Sequence, residues 1–380
     1  MPRSAIEEYV MFATTIIAFV LIATVEQPAQ SEMHKAYEHA ASLVQQIEDP
    51  DTLISVATKE NGVDLESLRE QFLLTSEVRE TLSKVPIRGV VLRNDRGHDA
   101  SIISSQLGAS LLAVSLIEVK YFGRQEMWNE MIEAYGRALT HVNNMYLVAA
   151  FGPLWACGIE YRYLHRELIG YLMSLTPAHR HQIRNVLRRV GAPPIRTTVL
   201  ANIDYIIATR GMLTRVPRNK WEDLGAKIFR DRLNGELAEL GVDVEHGDGG
   251  RQQVLDSLSQ VVKCLGVMAC TLETLDVEHM ICQASFLHQY IDDTRWKLAG
   301  EYLIPYPRMI LETRKAQLAR GVADAALRLA DQGADFEADN GRIAVFRKGG
   351  GVWIGVSPTS KACAHCYYQE DLDPPSYRLE

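Results

Sequence analysis

Apolar positions recur with a helical period along most of the chain. In residues 31–47, Met33, Tyr37, Ala40, Ala41 and Val44 fall on one face, the spacing of an amphipathic helix. Asp49-Pro50-Asp51 ends that helix and restarts the chain, and Asp64 has the position of an N-cap for LESLREQFLL. From about Ala100 a longer helix carries the stripe Leu107, Leu111, Leu112, Val114 and Ile117. Gly123 breaks it and EMWNEMIEAYGRAL begins its partner, so an αα-hairpin is expected. An apolar helix over 141–173 is kinked or split at Gly152-Pro153. Thr176-Pro177 is a capping residue followed by proline at the first helical position, and that helix stops near Gly191. Further helices are predicted over 196–214, 219–240, 252–275, 277–301 and 308–332.

The period then changes. Residues 335–338, 342–347 and 352–356 are short strand-like runs, with Asn340-Gly341 and Gly349-Gly350-Gly351 as turns. Three such strands make an antiparallel meander too small to stand alone, so it should pack on the last helix. The chain from Ser357 on reads as loop. The expected fold is mainly α: a helical-hairpin body with a small C-terminal antiparallel β-meander and one N-terminal transmembrane helix. The divisions are a stub at 1–8, a signal-anchor at 9–25, a helical body at 26–333, the meander at 334–358 and a tail at 359–380.

The anchor rests on residues 9–25, YVMFATTIIAFVLIATV, 17 residues without a charge. As a helix this spans roughly 25 Å, at the short end for a bilayer. A buried core helix is the alternative, but Glu7 and Glu8 before it and Glu26 after it fit a membrane segment better. The residues after it offer no small-x-small cleavage site, which favours a retained anchor over a cleaved signal. Arg3 and the amino group against Lys35 tilt orientation toward a cytoplasmic N-terminus and an exported body, with the inner membrane as location.

Composition narrows the rest. The chain has 380 residues, 47% hydrophobic and 23% charged, which excludes wholesale disorder. Its formal charge is −8, of which residues 1–26 supply −2 and the body −6. That acidity argues against nucleic acid as a partner. One basic stretch stands out, His179-Arg180-His181 with Arg184, Arg188 and Arg189; it reads as a solvated face, with contact to anionic lipid or an acidic partner as the sharper alternative.

Catalytic signatures are missing: there is no HExxH, no G-x-S-x-G, no phosphate loop and no GxGxxG, and no cofactor is implied. Cys363-Ala364-His365-Cys366 is the one local pair with possible chemistry. It can be a disulfide in an oxidising compartment, a pair of free thiols, or half of a metal site. His279 and Cys282, three apart on one predicted helix face, are the candidates to complete a four-ligand set. Cys157, Cys264 and Cys270 lie in apolar runs and read as small core residues. Asp276 with His279, the pair Asp292-Asp293, and His98 with Asp99 and Ser101 are explained more simply by helix surfaces and caps.

The stretch YFGRQEMWNEMIEAYGRAL resembles the second half of a tetratricopeptide hairpin, without a recurrence at 34 residues, so the helical-hairpin body is expected to be either tetratricopeptide-like or an irregular α-array. More broadly, residues 9–25, LLAVSLIEVKYFGRQEMWNEMIEAYGRAL, Leu175-Thr176-Pro177 and FRKGGGVWIGVSP resemble membrane-anchored or exported helical proteins of planctomycete-type bacteria. Many of those carry a tail similar to the C-terminal end of pseudopilins. The His-Gly-x-Tyr-Pro segment that precedes it there is replaced here by ADQGAD. The resemblance implies an anchored helical protein and transfers no functional residue. The reading is therefore an envelope protein whose helical body interacts or scaffolds, tied to the membrane through 9–25 and partnered by another envelope protein. A metal-binding or thiol-redox protein built on Cys363, Cys366, His279 and Cys282 is the alternative.

Overall fold

The computed structural model describes residues 27–47, 49–59, 63–85, 105–148, 152–193, 195–215, 248–271, 303, 305–332, 343–348, 350–356 and 376–379. They form a mainly helical protein with a small three-stranded antiparallel sheet. The helices are α1 (Gln27–Gln45), α2 (Pro50–Thr58), α3 (Leu65–Leu74), α4 (Ser76–Ser83), α5 (Ser105–Arg124), α6 (Trp128–Val148) and α7 (Gly152–Ile159). A π-turn (Glu160–Leu164) continues α7 into α8 (His165–Gly170). Then come α9 (Pro177–Val190), α10 (Ile195–Arg215), α11 (Asp248–Thr271) and α12 (Pro305–Gln332). Among the described residues no helix is long and apolar enough to cross a membrane. The 9–25 segment lies outside them.

Local chemistry explains the helix ends. Asp64 accepts from the Ser67 N–H at 2.8 Å and from its hydroxyl at 2.8 Å, satisfying a donor left open in the first turn of α3. Asp49 does the same for Thr52 ahead of Pro50. Thr176 caps α9 through the His179 N–H at 3.3 Å, with Pro177 behind it. Gly191 ends α9 at φ +70, a conformation that favours residues without a Cβ. Pro305 and Pro307 stand in the first turn of α12, where proline costs no hydrogen bond, and so begin that helix instead of merely preceding it.

The expected hairpin is α5 and α6, packed along each other. Gly123 does not break α5, which runs on to Arg124. The reversal falls at Glu126, at φ +57. Gly123 is needed for packing: a Cβ there would collide with the ring of Tyr171. That ring is held by its hydroxyl, which donates to Glu167 Oε1 at 2.5 Å. Gly123→Ala is therefore expected to cost about 1–3 kcal/mol by overpacking. Thermal unfolding should register it, and Tyr171→Leu in the same chain should recover most of the loss.

The core runs from Tyr37, Ala40, Ala41 and Val44 on α1 through α5, α6 and α9 to α12 and the sheet. On the predicted apolar face of α1, Tyr37, Ala40, Ala41 and Val44 are buried. On α12 the buried Ala316, Ala319, Ala323 and Ala326 let the helix lie close to its neighbours α7 and α9. β1 (Ile343–Lys348) and β2 (Gly351–Val356) pair in register Val345 to Ile354 around a turn with Gly350 at φ +78. β2 rests on α12, as expected. The expected strand at 335–338 lies outside the described residues, and the sheet among the described residues has another third strand. It is β3 (Ser376–Arg378), from the stretch read as loop, pairing Tyr377 with Ile354. Tyr377 is buried and its hydroxyl donates to the Tyr161 carbonyl at 2.8 Å.

Candidate functional site

The densest polar constellation among the described residues lies where the π-turn, α6, α8, α12 and the end of α9 meet. In an α-helix, residues five apart point roughly 140° away from one another. A π-turn closes i→i+5 bonds, so the fifth residue returns after about one full turn. Here the His165 N–H donates to the Glu160 carbonyl. Both side chains thereby face the same interior point. The His165 Nε2–H donates to Glu160 Oε1 at 3.0 Å, and Nδ1 bonds the Tyr135 hydroxyl at 2.9 Å.

Arg320, 160 residues further on, closes the other side of the carboxylate. Its Nε donates to Glu160 Oε1 and its Nη2 to Oε2 at 3.0 Å, a two-pronged pairing. The same guanidinium donates to Asn143 Oδ1 at 2.9 Å and to the carbonyl of Gly191. Glu160, His165 and Tyr135 are each 0% exposed. Burial alone would raise the Glu160 carboxyl, but the Arg320 charge and the hydrogen bonds from His165 and Arg320 outweigh it and hold it below its ordinary value. Burial likewise opposes the Arg320 charge, and Glu160 more than restores it. Burial, with the Glu160 charge behind it, holds the Tyr135 phenol far above its usual value.

Two smaller buried clusters flank this one. The Tyr37 hydroxyl bonds Nδ1 of His141 at 2.6 Å and accepts from Asn144 Nδ2 at 2.9 Å, joining α1 to α6. Tyr146, Cys157 and Thr313 form the other: the Tyr146 hydroxyl meets the Cys157 sulfur at 2.7 Å and Thr313 Oγ1 at 3.1 Å. Cys157 is buried as expected, but beside hydroxyls, not in a purely apolar setting. Burial pushes its thiol up, and a protonated thiol is a poor nucleophile. Cys157 should therefore resist a maleimide in the native protein and react after denaturation, which peptide mass mapping can read.

The residues singled out from the sequence fare differently. Cys363, Cys366, His279 and Cys282 all lie outside the described residues, as do Asp276, Asp292, Asp293, His98, Asp99 and Ser101. Among the described residues no His, Cys, Asp or Glu cluster could hold a metal ion. The basic face of α9 is only partly solvated. Arg180 is buried and donates to Asp331 at 2.6 Å and to the Leu175 carbonyl at 2.6 Å, and Arg184 donates to Asp324 at 3.1 Å. Its acidic partner is thus α12 of the same chain, which leaves His181, Arg188 and Arg189 exposed.

Sequence reasoning missed Glu160, His165 and Arg320. The one signal was a carboxylate inside an apolar run, LWACGIEYRYL. Nothing local points from there to residue 320. Compared with known protein families, curated proteins and solved structures, the chain shows no match to any.

Proposed function

We propose that this is a single-pass, N-terminally anchored protein of the cell envelope whose helical body, an irregular α-array, serves interaction or scaffolding. The observation that favours a scaffold is the use made of the buried ionisable groups among the described residues. Glu160, His165, Arg320, Tyr135 and Cys157 are all buried and spend their hydrogen-bonding capacity on one another and on neighbouring elements. A carboxylate and guanidinium arranged in this way fix helices against each other; substrate chemistry needs such groups to meet a ligand. The anchor reading is supported by the uncharged run at 9–25.

The test is fractionation of the full chain. It should stay with membranes through alkaline carbonate extraction, and deletion of residues 9–25 should release it. A topology reporter fused after Glu380 should be active on the exported side. Release of the intact chain by carbonate would overturn the anchor, and a reporter active only in the cytoplasm would reverse the orientation.

A further inference from the structure

Exposed apolar side chains gather at the closed end of the α5–α6 hairpin. Met173 is 82% exposed, Leu73 57%, Leu74 55% and Met127 39%. They border half-buried aromatic rings in two adjoining groups, Phe72 with Tyr121 and Phe122, and Trp128 with Tyr171. Phe72 stacks on Tyr121 with 3.9 Å between centroids and meets Phe122 edge-on at 5.4 Å. Tyr171 lies over Gly123 and 5.8 Å from Trp128. The Met127 N–H donates to the Phe122 carbonyl at 3.0 Å. Apolar residues exposed singly need no explanation, but four beside aromatic rings at one end of a hairpin do.

The course of α1 bears on what covers them. α1 ends at Gln45, a few residues before Asp51, which accepts from Gln106 Nε2 at 3.3 Å at the start of α5. The C-terminal end of α1 therefore sits by the open end of the hairpin. Tyr37 meets His141 and Asn144, more than three turns of α6 away from the closed end. α1 packs along α4, whose Arg79 donates to the Phe72 carbonyl at the closed end. Its 19 residues, about 28 Å of helix, match the length of α5 and lead its first residue toward the closed end. The uncharged run stops at Val25, two residues before Gln27.

We propose that the closed end of the hairpin rests on the lipid surface into which residues 9–25 insert. Leu73, Leu74, Met127 and Met173 enter the interface, and Trp128 and Tyr171 lie at headgroup depth, the level these rings favour. This rests on the anchor reading above and adds which face of the body meets the bilayer. The exposed charges beside the hairpin turn are Arg124, Glu126 and Glu130, so apolar insertion holds this face down, not attraction to anionic lipid.

The test uses the full chain reconstituted in phosphatidylcholine vesicles with brominated acyl chains, read by tryptophan fluorescence after flotation. The apolar run contains no tryptophan, and Trp128 is one of 5 in the chain. Wild type should be quenched, and Trp128→Phe should remove most of the quenched component. Met127→Gln with Met173→Gln should weaken Trp128 quenching about twofold or more at unchanged flotation. Added anionic lipid should change little. A chain that floats but shows the same quenching with and without Trp128 overturns this inference and leaves the anchor standing. A chain that does not float overturns both.

Discussion

Replacing Arg320 with methionine is expected to lower folding stability by about 3–5 kcal/mol, the cost of stranding a buried charge. Glu160 would remain at 0% exposure with only His165 as a partner, and Asn143 Oδ1 and the Gly191 carbonyl would each lose a donor. The loss is large against the 5–15 kcal/mol that holds a typical domain together. Glu160→Gln should cost less than Arg320→Met, because a neutral amide remains that can still accept from the guanidinium. Combining Arg320→Met with Glu160→Met should recover part of the loss, since no unpaired charge is then left inside. Urea denaturation at pH 7 reads each of these chains. If Arg320→Met moves the midpoint no further than Arg189→Met on the exposed face of α9, the ion pair does not hold these elements together.

Acid is expected to weaken the fold from about pH 6.5 downward, well above the range of ordinary carboxylates. The cause is His141, which burial first, and then the nearby Arg137 charge, push down to about 3. Tyr37 also faces it, and its phenol carries no charge that could stabilise an imidazolium. An unfolded chain takes up the proton near pH 6.5, whereas the native one waits until about 3. Between those values the unfolded state binds more protons, so stability falls as pH falls, by about 1.4 kcal/mol per unit. Glu160 adds to this at lower pH: its contribution is complete above the unfolded carboxylate value and is lost as pH drops through its depressed native one. Unfolding free energies of wild type and His141→Gln between pH 7 and 5 separate the effects. The variant should start less stable and show a flatter slope; equal slopes would rule out His141 as the source.

What the sequence revealed and what it hid divide along a physical line. Asp64, Thr176-Pro177 and Gly191 were legible because a cap acts on its own first or last turn, within a few residues. The buried face of α1 was legible because it follows the helix period. The short strand at Ser376–Arg378 has only three residues, too few for alternation to register, and it is a strand because β2 offers it an edge and Tyr377 a buried site. The π-turn was hidden because an extra residue per turn leaves no mark in an otherwise apolar run. Arg320 looked like one more charge on a helix rich in alanine. Its role depends on a carboxylate 160 residues away, and a pairing over that distance has no local pattern. For α9, composition marked a basic helix and suggested a solvated face, but the packing of α12 turns Arg180 and Arg184 inward.

The separation of Glu160 from Arg320 also bears on how the chain folds. Contacts this far apart in sequence form late, because a long loop must close before they return any energy. Until α12 arrives, packing the π-turn into the core means burying a carboxylate without its counter-ion. A partly assembled α6–α8 unit is therefore unstable in its own right. The ion pair makes docking of α12 a condition for closing the core, which turns a set of separable helices into one cooperative transition.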